Sequence, residues 1–210
     1  YAFQVTLNSF ELISLPADVT QSHRVVRPGM LPFPSPDGAT LYFTREDAKT
    51  NFDICSLPME RLDVEPKVLI GAPGFQWFCV PSPDGLYMAY MSDESGENQV
   101  YVTSLPDASG KWQISRNGGN FPQWRADGRE IIFVDDSGIM STEIDRSQGF
   151  RPGASRQLFP RPSIFGLPWP DGFDMSADAE RIYLVRGHVD EGDEVAAPRI
   201  VIAQNWKKEF

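Results

Sequence analysis

Histidine and cysteine are the scarcest reactive side chains in this 210-residue chain, with two of each. Cys55 and Cys79 fall in different stretches and show no Cys-x-x-Cys or Cys/His ligand spacing, so no zinc site is expected. Each reads as a small buried hydrophobe, with a disulfide between them as the alternative that sequence cannot decide. His23 and His188 lie near opposite ends of the chain with no flanking nucleophile or ligand, and read as surface or turn histidines. If His188 pairs with nearby Asp190 it would titrate near neutrality. Basic residues are also few. Nineteen Lys and Arg against 29 Asp and Glu leave a net charge of −10, which opposes non-specific attraction to phosphate backbones and anionic membranes, and nucleic acid is not an expected partner. No apolar run reaches the roughly 18 residues needed to span a bilayer, so this chain is not expected to insert into a membrane. The N-terminus, Tyr1-Ala2-Phe3-Gln4-Val5, shows no basic stretch followed by an apolar core and a cleavage site, and no signal peptide is visible. There is no Gly-x-Ser-x-Gly elbow and no kinase set of Gly-rich loop, His-Arg-Asp and Asp-Phe-Gly. Gly71-Ala72-Pro73-Gly74 lacks the strand-to-helix setting of a phosphate cradle. The sequence therefore predicts no catalytic residue, no metal site and no cofactor in this chain.

Glycine and proline, by contrast, are plentiful at 17 and 18, and they recur in one pattern. Pro81-Ser82-Pro83-Asp84-Gly85 runs into Leu86-Tyr87-Met88-Ala89-Tyr90-Met91-Ser92. Pro34-Ser35-Pro36-Asp37-Gly38 precedes Leu41-Tyr42-Phe43, Arg125-Ala126-Asp127-Gly128 precedes Ile131-Ile132-Phe133-Val134, and Met175-Ser176-Ala177-Asp178 precedes Ile182-Tyr183-Leu184-Val185. The four aspartates are 47, 43 and 51 residues apart. In such a turn Pro presets φ, Asp bonds the backbone two residues on, and Gly accepts φ > 0. Asp37, Gly38, Asp84, Gly85, Asp127, Gly128 and Asp178 are thus read as structural turn formers rather than a ring of acids. A repeat of roughly 40–50 residues built from short strands predicts an all-β propeller with four-stranded antiparallel blades.

Taken in order, residues 1–29 predict three strands of a partial N-terminal blade, at Ala2 to Leu7, Phe10 to Leu15 and around Arg24 to Val26. Residues 30–74 form the next blade, with the loop Arg45 to Asn51 charged and exposed. Blade 75–119 has strands at Gln76 to Val80, Tyr87 to Met91, Val100 to Ser104 and Trp112 to Ser115. Its acidic hairpin tip, Ser92 to Asn98, reads as solvated, with cation binding as the alternative. Blade 120–160 has the shortest second hairpin, Asp135-Asp136-Ser137-Gly138, and near-continuous apolar strands, as expected of blades covered on both faces. The C-terminal blade, 161–210, follows a Pro-rich connection and shows three strands. Four repeats plus a partial one, all in one propeller domain, fit part of a propeller of six or more blades, or closure on their own.

The Pro-Ser-Pro-Asp-Gly unit, with Met88-Ala89-Tyr90-Met91-Ser92, Gly96-Glu97-Asn98 and Val100-Tyr101-Val102, resembles the WD40-like (PD40) repeat of TolB-type β-propellers. Gly110-Lys111-Trp112-Gln113-Ile114-Ser115, Gly118-Gly119, Pro122-Gln123-Trp124, Asp127-Gly128-Arg129-Glu130 and Val201-Ile202-Ala203-Gln204-Asn205-Trp206 resemble the propeller region C-terminal to bacterial serine/threonine protein kinase domains. Ala126 departs from the usual Pro, and Ala177-Asp178-Ala179 lacks both Pro and Gly. The resemblance implies a non-catalytic binding module, sensory or scaffolding, often extracytoplasmic or periplasmic. It implies a protein or small-ligand partner and no chemistry of its own. Alternatives are the regulatory propeller of a serine/threonine kinase or the accessory propeller of a serine hydrolase. Candidate partner contacts are loop aromatics, Phe75, Trp77, Phe121, Phe165 and Trp169, since aromatic anchors contribute heavily to interfaces. Against this, Trp77 and Trp124 would also suit packing between blades.

Overall fold

The computed structural model describes residues 2–6, 9–14, 24–160, 173–176, 181–189 and 195–204. Every regular element among them is a strand, and no helix there is long and apolar enough to cross a membrane. The first sheet is β1 (Ala2–Thr6), β2 (Ser9–Ser14) and β3 (Arg24–Pro28) in sequential order. Next come β4 (Met30–Pro34), β5 (Thr40–Asp47), β6 (Asn51–Pro58) and β7 (Lys67–Ile70), then β8 (Gly74–Pro81), β9 (Tyr87–Ser92), β10 (Gln99–Ser104) and β11 (Lys111–Gln113). A third four-stranded unit is β12 (Asn120–Trp124), β13 (Glu130–Val134), β14 (Gly138–Asp145) and β15 (Arg151–Pro160). The last sheet holds β16 (Phe173–Met175), β17 (Arg181–Val189) and β18 (Val195–Gln204). Within each unit neighbouring strands pair antiparallel in chain order, the arrangement of propeller blades, and the whole is a partial propeller.

Two features differ from the sequence reading. Arg45 to Asn51 is not a loop: β5 continues through Asp47 and β6 begins at Asn51, with Arg45 opposite Asp53 in register. Asp47 makes this possible by accepting the Lys49 and Thr50 backbone N–H groups at 2.8 and 3.3 Å, which closes the reversal in three residues. The second and third units are also joined edge to edge, because Asn51 and Phe52 of β6 pair in parallel with Gly74 and Phe75 of β8. The cysteines behave as small hydrophobes: both are fully buried, and no disulfide joins them.

The core lies between the sheets. Along β13, Ile131 and Phe133 enter a cluster with Ala89, Val100 and Val102 of the preceding unit, while Ile132 and Val134 enter one with Phe173 and Ile182 of the following unit. Tyr42 and Ile54 meet Cys79, Met88, Tyr90 and Tyr101 in the same way. A strand covered on both faces has no solvent side, which is why β13 is buried at all five positions and reads as an apolar run from Ile131 to Val134.

Candidate interaction face

The turn motif sets the frame. Gly38 N donates to Ser35 O at 2.9 Å, Gly85 N to Ser82 O at 2.8 Å and Gly128 N to Arg125 O at 2.8 Å. The three glycines have φ of 71°, 71° and 67°, the left-handed conformation that a type I turn followed by a bulge demands. Asp37 accepts from Ser35 Oγ at 2.5 Å and Ala39 N at 3.0 Å, and Asp84 from Ser82 Oγ at 2.6 Å and Leu86 N at 3.1 Å. Each Ser Oγ in turn accepts a strand N–H, from Thr40 at 2.9 Å and Tyr87 at 3.0 Å. Asp127 accepts Arg129 N at 3.1 Å. Asp178 lies outside the described residues, but Ser176 N donates to Arg181 O at 3.0 Å, matching the Ser35–Thr40, Ser82–Tyr87 and Arg125–Glu130 bonds. Bonds from Ser35 and the Ala39 backbone hold the Asp37 carboxyl below its usual pKa. At Asp84 burial pushes upward, but bonds from Ser82, Arg146 and Leu86 outweigh it and the net shift is down. Asp84 thus does more than form a turn, since Arg146 of the next unit pairs with it and lies over the Tyr87 ring, 4.8 Å from its centroid.

Aligned on these turns, the first strand of each four-stranded unit carries a left-handed residue four positions earlier: Leu31, Phe78 and Phe121, with φ of 52°, 53° and 54°. Each sits in a register shift, between Met30 and Phe33, Trp77 and Val80, and Asn120 and Gln123. For a non-glycine residue this conformation costs about 1–2 kcal/mol. Edge-to-face ring contacts offset part of it, Phe33 on Phe78 at 5.5 Å and Phe78 on Phe121 at 5.3 Å. The bulges thereby turn a row of aromatic rings across three consecutive first strands.

At the opposite end of the strands from the Asp-Gly turns lies a second aromatic group. Phe52 stacks on Phe75 at 5.2 Å, and Phe75 is 6.3 Å from Trp77. Phe75 is 39% exposed, whereas Trp77 and Phe121 are half-buried. These three were expected in connecting loops. They sit in β8 and β12 instead: Trp77 falls inside the strand expected at Gln76 to Val80, and Phe75 joins it because β8 begins earlier, at Gly74. Phe165 and Trp169 lie outside the described residues. Phe75 is fixed through its backbone: its N–H donates to Asp93 Oδ1 at 2.7 Å, and Asp93 N returns a bond to Phe75 O at 3.3 Å. A Cβ at Gly74 would come within 2.2 Å of Asp93 Oδ1, so the close approach requires glycine. Trp77 Nε1 is buried with no acceptor among the described residues, and Gln76 Oε1 beside it is buried with no donor there. The acidic hairpin tip is engaged by protein groups: Asp93 by Phe75 N, Glu94 by Lys111, and Glu97 by Gln99 Nε2 at 2.7 Å. Trp124 bridges first strands of adjacent units by donating Nε1 to Val80 O at 3.0 Å.

No family model matches the chain, and no curated protein matches it by sequence. Solved structures do match by fold. TolB from Acinetobacter baumannii aligns with a TM-score of 0.68 and 20% identity over 93% of this chain and 46% of its own. The periplasmic gluconolactonase PpgL of Pseudomonas aeruginosa aligns at 0.55 and 16% identity, over 94% of this chain and 67% of its own. A chain of the nidogen/laminin complex aligns at 0.55 and 14% identity, over 84% and 63%. This chain therefore spans less than half the length of the TolB structure it resembles.

Proposed function

We propose, from the premise that this chain has the fold of a TolB-type β-propeller, that it is a non-catalytic binding module of a longer protein and that Phe52, Phe75 and Trp77 meet a protein partner. One observation carries the reading: a part-exposed aromatic ring, Phe75, is stacked on Phe52, and its backbone is tied to the Asp93 carboxylate. A pre-ordered aromatic side chain loses little entropy on docking, which is what an interface anchor requires. A fold neighbour solved within a nidogen/laminin complex supports protein contact as a use of this architecture. A second reading, lactone hydrolysis, draws its support from the gluconolactonase neighbour. The finer versions of the first reading, a regulatory region beside a serine/threonine kinase or an accessory propeller of a serine hydrolase, with an extracytoplasmic location, rest on the sequence resemblance.

The test has two arms. Gluconolactone hydrolysis should not exceed the buffer rate at any enzyme concentration, and a saturable rate would replace the binding reading with the hydrolytic one. In the other arm, immobilised chain is exposed to extract from its source, and partners retained by the unmodified chain should be lost with Phe75→Asp. Because Phe75 also stacks on Phe52, the variant's thermal unfolding is measured alongside, and the loss of partners is scored on a variant that remains folded at the assay temperature. Equal retention by both chains would sink the aromatic contact.

A further inference from the structure

The repeat supplies its own control at the third Asp-Gly turn. In the other three copies the turn opens on serine, Ser35, Ser82 and Ser176, whose hydroxyl accepts a strand N–H. The third copy has Arg125 there, and Glu130 stands where the others have Thr40, Tyr87 and Arg181. The exchange abandons a neutral hydroxyl for a guanidinium and places a carboxylate on a strand that is otherwise wholly apolar. Glu130 is only 3% exposed and accepts from Arg156 Nη2 at 3.0 Å, Arg125 Nη1 at 3.5 Å and the Ser141 hydroxyl. A buried ion pair of this kind is weak support for stability, because desolvation cancels most of the attraction. What Glu130 does achieve is to fix two guanidinium planes against the wall of a cleft of about 630 Å³.

The charges lining the cleft, four arginines and four carboxylates, are balanced in sign. Arg125 Nε turns to Asp127 at 3.5 Å, and Arg151 and Asp145 also line the cleft. Arg129 and Glu143 also line the cleft, are exposed, and make no side-chain hydrogen bond or ion pair among the described residues. They belong to adjoining chain segments, since Ile144 N donates to Arg129 O at 2.8 Å and Glu143 faces Glu130 in register. A polyanion would meet as many carboxylates as guanidiniums here. A small ligand with one charge of each sign meets an unpaired complement for both, and arginine's planar fork suits a carboxylate.

We propose that this cleft is a binding site for a small zwitterion, an amino acid or dipeptide, whose carboxylate is held by Arg129 and Arg156 and whose ammonium is held by Glu143. The site lies at the Asp-Gly-turn end of the strands, away from Phe75, and stands or falls separately from the aromatic contact. The test is calorimetric titration with four probes: alanylalanine, its N-acetylated form, its C-amidated form and inorganic phosphate. Unmodified alanylalanine should bind saturably, and each blocked form should bind at least about tenfold more weakly, as loss of one charge-assisted bond set implies. Arg129→Ala should weaken the unmodified and N-acetylated forms, whereas Glu143→Gln should abolish the preference for the unblocked amine. Both residues are exposed, so both variants should unfold at the temperature of the unmodified chain. Absence of saturable binding, or phosphate or the N-acetylated form binding as tightly as alanylalanine, would overturn the proposal.

Discussion

At Gly74 a backbone φ of 110° and the Asp93 carboxylate at the position a Cβ would take both forbid a side chain. Gly74→Ala should therefore cost about 2–3 kcal/mol in urea unfolding. Gly96, with φ of 97° and open space around it, isolates the backbone share, and Gly96→Ala should cost only about 1 kcal/mol. Equal costs would show that the Asp93 contact does not matter. Asp84 is set by its bonds instead of by its backbone. Its folded pKa lies below the ordinary 3.8, so its contribution is complete above about pH 4 and is lost as pH falls through the folded value. Arg146→Ala removes one of the bonds that lower it, and should cost about 1 kcal/mol or less at pH 7, since the pair is partly exposed. It should also shrink the stability lost as pH falls below about 4. Denaturant midpoints at three pH values check this, and an unchanged acid slope would mean that Asp84 is held by Ser82 and Leu86 alone. The turn half of this chemistry was legible in sequence, because Pro-Asp-Gly spells its own geometry. The Arg146 half was not: 62 residues separate it from Asp84, and only the packing of one unit against the next brings them together.

Between β14 and β15 a short turn does the work of a latch. Besides Arg146, it carries Phe150, 6% exposed, whose ring centroid lies 4.7 Å from Tyr87, 4.7 Å from Trp112 and 6.3 Å from Trp124. The first two partners belong to the preceding unit, so one ring joins two sheets. Phe150→Ala should cost about 3–5 kcal/mol, and Phe150→Leu clearly less, because the leucine refills part of the volume. A loss under about 1 kcal/mol for the alanine variant in equilibrium unfolding would show that the latch is dispensable. The same scale shows where sequence reading stops. Strand positions followed from apolar runs between turn signals, and most strands fall where those runs do. The bulges at Leu31, Phe78 and Phe121 gave no signal, since glycine usually marks a left-handed bulge and none of the three is glycine. The Glu130 cleft was equally silent. Its charges are spread from Arg125 to Arg156, each reads alone as a solvated side chain, and the register of β13, β14 and β15 gathers them.

Over the whole molecule, the repeat could suggest blades that fold independently, as in linear arrays where each unit touches only its neighbours. The interfaces argue otherwise. The second and third units share backbone bonds between β6 and β8 as well as the Tyr42–Tyr90 cluster, and the third and fourth share the Val100–Phe133 cluster and the Phe150 latch. Opening any one unit exposes apolar faces of its neighbours, at about 25 cal/mol per Å² of apolar surface. Residues 30–160 should accordingly exchange their amide hydrogens as one cooperative body. The slowest amides should lie in β9, β10 and β13, which are buried on both faces. Those of β15, exposed over most of its length, and of β7, exposed over half of its length, should exchange faster through local opening. Mass-spectrometric exchange resolves this directly, because cooperative opening of 30–160 moves peptides from all three units together in mild denaturant. Peptides of β4 to β7 exchanging as a separate group, well before β9 and β13, would mean that the shared clusters do not couple the sheets.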